Sequence, residues 1–152
     1  MQPITLAKKA LLLASTFMLA SCTDDNYLYK TRMQGQWQVK NITINHYINN
    51  KLTSTAYQTN FGANDKLEFN KDGTGYMSLV AEPYNEPLGT MNYTVSGQDK
   101  NEVNATNGRA TLKFRIISVD EPSMRIIYKQ NDKSTSTATG SYDEYDVNVA
   151  RQ

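Results

Sequence analysis

Two kinds of hydrophobic pattern divide the chain. Ala10 to Ala20 is an unbroken, mostly apolar run of 11 residues behind Lys8 and Lys9. From Gly35 onward, apolar and polar positions alternate, the signature of strands with one buried face. Trp37 and Val39 share a face, as do Leu67 and Phe69, and then Met91, Tyr93 and Val95. The cleanest alternation is Ala110, Leu112, Phe114 and Ile116, answered by Met124, Ile126 and Tyr128 and later by Tyr145, Val147 and Val149. Turn residues punctuate these runs at Asn70-Lys71-Asp72-Gly73, Ser96-Gly97, Asn107-Gly108 and Asp120-Glu121-Pro122-Ser123. Asp72-Gly73 reaches positive φ at little cost, so Lys66–Phe69 and Thr74–Ala81 are expected to form a hairpin.

Three stretches interrupt the alternation. After Asn41 the apolar parity shifts to Ile42, Ile44 and Ile48. A one-residue slip flips every side chain, so a bulge near Lys40-Asn41 is expected to restore the inward face. Asn49 to Asn64 is polar apart from Tyr57 and Phe61, and reads as a long loop or a loop carrying one more short strand. Glu82 to Pro87 holds two prolines, which cannot donate to a ladder, and reads as a loop. Glu102–Thr106 is a further short strand candidate, and Asn131–Gly140 a Ser/Thr-rich loop. Tyr27–Arg32 suits either a tether or a short helical turn. The fold class is therefore all-β: an antiparallel up-and-down barrel of about eight strands, its last strand pairing with its first so that no edge is left open. A β-sandwich is the alternative, with a similar strand count.

Composition agrees, being rich in Tyr, Thr, Asn and Ser, as strands and turns are. The N-terminal run is too short to span a bilayer, which takes about 20 residues. Behind two lysines and ahead of Leu19-Ala20-Ser21-Cys22, it reads as a secretory signal peptide. That ending resembles the lipobox of bacterial lipoproteins. The resemblance implies cleavage before Cys22, acylation of its sulfur and amino group, and anchoring in the bacterial outer membrane, facing the periplasm or the cell surface. Two or more chains hold such a protein firmly in its bilayer. The domains would then be a signal peptide over 1–21, a flexible tether over 22–32, and a barrel over 33–152. Asp24-Asp25 resembles the surface-export tags of some such lipoproteins, or is an ordinary polar linker. Cleavage removes Lys8 and Lys9 from the 16 basic residues, leaving 14 against 15 acidic ones. A near-neutral domain is a poor nucleic-acid binder. Cys22 is the one cysteine, so no internal disulfide forms.

Gly35-x-Trp37, followed by Leu67-x-Phe69-x-x-Asp72-Gly73-Thr74 and the Phe114-Arg115-Ile116/Met124-Arg125-Ile126 pair, resembles the lipocalin-like domains of bacterial envelope lipoproteins. The resemblance spans roughly Met33 to Arg151 and assigns structural roles to Gly35, Trp37, Asp72 and Gly73. It implies a tryptophan plugging one barrel end, packed on a basic side chain from a late strand, either Arg151 or Arg125.

Chemistry is sparse. His46 is the one histidine, which excludes a His ligand cluster, and its parity with Ile44 and Ile48 suits packing or a wet barrel rim. Glu68-x-Asn70-x-Asp72-Gly73 has the look of a calcium loop, but Leu79 stands where the closing Glu belongs. Asp143, Glu144 and Asp146 read as a solvated edge. No enzyme activity, metal or cofactor is expected. The ten tyrosines remain, and Tyr47, Tyr84, Tyr93 and Tyr128 are candidates for a ligand-binding rim. The expected function is non-enzymatic binding of a small hydrophobic or amphipathic ligand in the barrel mouth. The alternative is an interaction module that meets a protein or glycan through its loops.

Overall fold

A computed structural model describes residues 25–97, 101–131 and 140–152. The signal run, Cys22 and most of the Asn131–Gly140 loop lie outside the described residues. Among the described residues one helix, α1 (Asp25–Arg32), precedes nine strands: β1 (Gly35–Ile48), β2 (Lys51–Gln58), β3 (Lys66–Phe69), β4 (Thr74–Ala81), β5 (Glu86–Ser96), β6 (Glu102–Thr106), β7 (Thr111–Asp120), β8 (Ser123–Asn131) and β9 (Ser141–Arg151). Every pairing is antiparallel, in the order β2-β1-β3-β4-β5-β6-β7-β8-β9, and β9 returns to β1. Eight strands thus form a closed barrel and β2 is an extra one. Trp37 pairs with Arg151 and Ile42 with Val147, which excludes two separate sheets and so the sandwich.

Strand β1 organises the closure. Its first four residues pair with β3, its second half with β2, and nearly its whole opposite edge with β9. The expected bulge is present as a register shift between Val39 and Asn41. It lets Trp37, Val39 and Ile42 all be buried, although their spacing breaks period two.

The interior is apolar and continuous. Leu67, Phe69, Leu112, Phe114, Ile126 and Tyr128 are all buried, as the alternation requires. One end is plugged. The Trp37 indole is fully buried and its N–H donates to Met33 O at 2.7 Å. The Arg151 guanidinium lies 4.6 Å from the indole ring and donates to Gln34 O and to Arg32 O, the last carbonyl of α1. Arg125 instead forks onto Asp146 outside the barrel, so Arg151 is the partner of Trp37. Gly35 has φ +113°, and a Cβ there would lie 2.9 Å from Arg151 Nη1, so the glycine gives the arginine its path.

The same end carries the β3–β4 turn. Asp72 accepts from Thr74 N at 2.9 Å and Thr74 Oγ1 at 2.7 Å, and Gly73 takes φ +86°. The Thr74 hydroxyl and then its amide hold the Asp72 carboxyl below the usual range.

Two expectations need correction, and one open alternative is decided. Glu82–Pro87 is not all loop: β5 begins at Glu86, and Pro87 pairs with Val80 just past a register shift, where a missing N–H costs little. Of the two readings of Asn49–Asn64, the loop carrying a further strand holds, and that strand is eight residues long. Asp143, Glu144 and Asp146 do not form an edge, because β9 is paired on both sides; they meet His46, Lys129 and Arg125 respectively.

Candidate functional site

The end opposite Trp37 is less completely filled. There a cavity of about 390 Å³ lies between the β4–β5 tip and strands β1, β8 and β9. Its apolar wall comes from Val39, Ile42, Ile44, Leu79 and Pro87, with Phe61 from the β2–β3 connection at its margin. Tyr128 and Tyr145 form its aromatic side, stacked with centroids 4.7 Å apart and rings 2° from parallel. Gln58, Asp65, Ser78 and Asn85 bring a few polar groups. That combination, mostly apolar with sparse polar points, is the usual make-up of small-molecule sites of roughly 300–1,000 Å³.

The opening exists because β3 is short. β3 pairs with β4 only from Leu67↔Met77 to Phe69↔Gly75, while β4 runs on to Ala81. Beyond β3, the far part of β4 turns across the mouth toward β7 and β8. Glu82 bridges to Thr111, Asn131 N donates to Glu82 Oε1 at 3.0 Å, and Gln130 Nε2 donates to Val80 O at 2.6 Å. These bonds fix the β4–β5 tip as one wall of the cavity.

Register stacks the mouth in layers. Ile44 pairs with Tyr145, and two residues further out His46 pairs with Asp143 on the same face. His46 Nδ1 and Asp143 Oδ1 are 2.8 Å apart, both side chains about a quarter exposed. An apolar chamber thus opens onto a polar, hydrogen-bonded rim. Burial first, and the neighbouring Tyr145 phenol second, push the Tyr128 phenol far above its usual range. Tyr128 therefore stays neutral and keeps its proton for donation.

The four tyrosines singled out by sequence do not converge. Tyr128 lines the cavity. Tyr93 is buried near the plugged end, edge-on to Phe69, and donates to Asn70 O at 2.6 Å. Tyr47 lies on the opposite face of β1 from Ile44 and stacks on Tyr142 at 4.9 Å. Tyr84 is 62% exposed at the β4–β5 tip. Tyr145 and Phe61 were missed as site residues; the parity that pairs Tyr145 with Ile44 was the available signal for the first. The described residues hold no group of three or more His, Cys, Asp and Glu able to bind a metal ion. No described helix is long and apolar enough to cross a membrane. No family model, curated protein or solved structure matches this chain.

Proposed function

We propose that the protein is a non-enzymatic, envelope-anchored lipoprotein whose lipocalin-like barrel holds a small amphipathic ligand in its mouth. The observation that carries this reading is the 390 Å³ apolar cavity beneath the His46–Asp143 rim. A filled eight-stranded barrel has no room for cargo, whereas one with such a chamber holds one small molecule. The apolar tail packs against Ile42, Ile44, Leu79 and the Tyr128/Tyr145 stack. The polar head stays at the rim with His46 and Asp143. Native mass spectrometry of the chain from Thr23 to Gln152, which contains every described element, tests the reading. A small apolar molecule released on collisional activation supports it; an empty protein that takes up no lauric acid opposes it.

The anchoring half of the proposal rests on the lipobox at Leu19–Cys22 and a bilayer partner. Cys22→Ala is expected to leave the protein unshortened in length and no longer acylated, with loss of lipid-borne mass by mass spectrometry and a changed membrane fraction. Unchanged fractionation and mass would contradict it.

A second reading, an interaction module for a protein or glycan, is favoured by β2. All eight of its residues are exposed, and among the described residues only β1 pairs with it. An uncovered strand edge is a template for pairing with another chain.

A further inference from the structure

We infer that β2 is the interface through which two copies of this chain join edge to edge into one continuous sheet. This rests on the interaction-module reading of β2 and names its partner. Strand β2 ends the sheet, and among the described residues its outer edge meets no other strand. All eight of its residues are exposed, so nothing overhangs either face and a second copy can approach in the plane of the sheet. Protected edges carry charges, prolines or bulges. Here the one charge, Lys51, and the one register shift against β1 both sit at the N-terminal end, while Ser54–Gln58 is regular, uncharged and free of proline.

That shift makes the edge complementary to itself. Tyr47 pairs with Leu52, Asn45 with Thr55 and Thr43 with Tyr57, and Thr53 is left over. The Thr53 hydroxyl donates to His46 O at 3.0 Å. The extra residue turns Leu52 to the same face as Thr55 and Tyr57. Measured along β1, Leu52 and Tyr57 stand equally far to either side of Thr55. Leu52 is 50% exposed and Tyr57 76%; with Tyr84 they are the large hydrophobic side chains left exposed among the described residues. Two copies of one antiparallel edge pair about a two-fold axis that sets one residue against its own counterpart. With the axis at Thr55, Tyr57 of each copy meets Leu52 of the other, and both apolar patches are covered at once. With the axis at Ser54, Tyr57 passes Leu52 and reaches the charged end of the facing strand. With the axis at Ala56, Leu52 runs past the facing Gln58. Self-complementarity in this single register favours a second copy over an unrelated strand.

The test is sedimentation of the Thr23–Gln152 chain at rising concentration, with charges placed at the axis. The parent is expected to dimerise. Because the axis opposes position 55 to itself, Thr55→Lys and Thr55→Glu each set like charges face to face and should each weaken the dimer at least about tenfold. An equimolar mixture of the two variants should dimerise again, a recovery that lost folding cannot produce. Thr90→Lys, exposed on β5, should dimerise as the parent does. The inference is overturned by a parent that stays monomeric, by a dimer indifferent to charge at Thr55, or by a mixture that stays monomeric. A monomeric parent that still captures an alternating Thr-Val hexapeptide overturns self-pairing and leaves the interaction-module reading in place; a monomeric parent that captures none overturns both.

Discussion

At the scale of single residues, two aromatic side chains anchor the two ends of the barrel. Trp37 is clamped by Arg151, whose guanidinium lies over the indole and donates to the carbonyls of Gln34 and Arg32. Its ion pair with Glu121 at 3.1 Å adds little, since Glu121 is 72% exposed. Arg151→Ala is expected to cost about 2–4 kcal/mol, from the lost cation–π contact and charged hydrogen bonds. Because Trp37 is the one tryptophan, its emission should also shift to the red. An unchanged urea midpoint and spectrum would remove Arg151 from that role. At the other end, the Tyr128 phenol is held above its ordinary 10.0. A folded pKa raised above the unfolded one means stability fully present below about pH 10 and lost as pH rises beyond it, because only the unfolded chain gives up the proton there. The loss reaches at most about 1.4 kcal/mol per pH unit. Tyr128→Phe should flatten the decline in urea stability between pH 10 and 11; an identical slope would show that this phenol does not titrate differently on folding.

At the scale of elements, legibility followed local pattern. The hairpins around Asp72-Gly73 and Asp120–Ser123 were readable because alternating faces and turn residues sat side by side in sequence. The β1 bulge was readable from the shift between Val39 and Ile42. Strand β2 was legible only as one of two alternatives, because its eight residues are exposed on both faces and so leave no hydrophobic period to place its bounds. The missed signal was Asn49-Asn50: both residues take positive φ, 52° and 62°, as a two-residue hairpin turn demands. The α1 helix, Asp25–Arg32, was equally faint, since sequence left Tyr27–Arg32 between tether and helical turn. A constraint invisible to any pattern lies at Gly75, where an added Cβ would run into the backbone carbonyl of Glu68 across the β3–β4 pair. Gly75→Ala is expected to destabilise by about 1–3 kcal/mol through forced separation of the strands. A urea midpoint within error of the parent's would contradict that close approach.

At the scale of the whole molecule, closure by the β1–β9 pairing makes one end a plug and leaves the other a chamber. The closure was legible, since a strand reaching the C-terminus had a first strand to meet. The site was only partly legible, since tyrosine count pointed to four residues that register scatters over the molecule. The chamber depends on β3 being short and on β4 crossing the mouth to Gln130 and Asn131, long-range geometry that no local pattern encodes. The central claim, that this chamber takes an amphipathic ligand, is tested most directly by titrating lauric acid into the parent chain and into Ile44→Trp. Ile44 is half-buried on the cavity wall, so the larger ring fills the chamber without entering the packed core. The account predicts one-to-one binding by the parent and at least about tenfold weaker binding by a folded Ile44→Trp variant. Equal affinity in the two, or no binding by the parent, would contradict it.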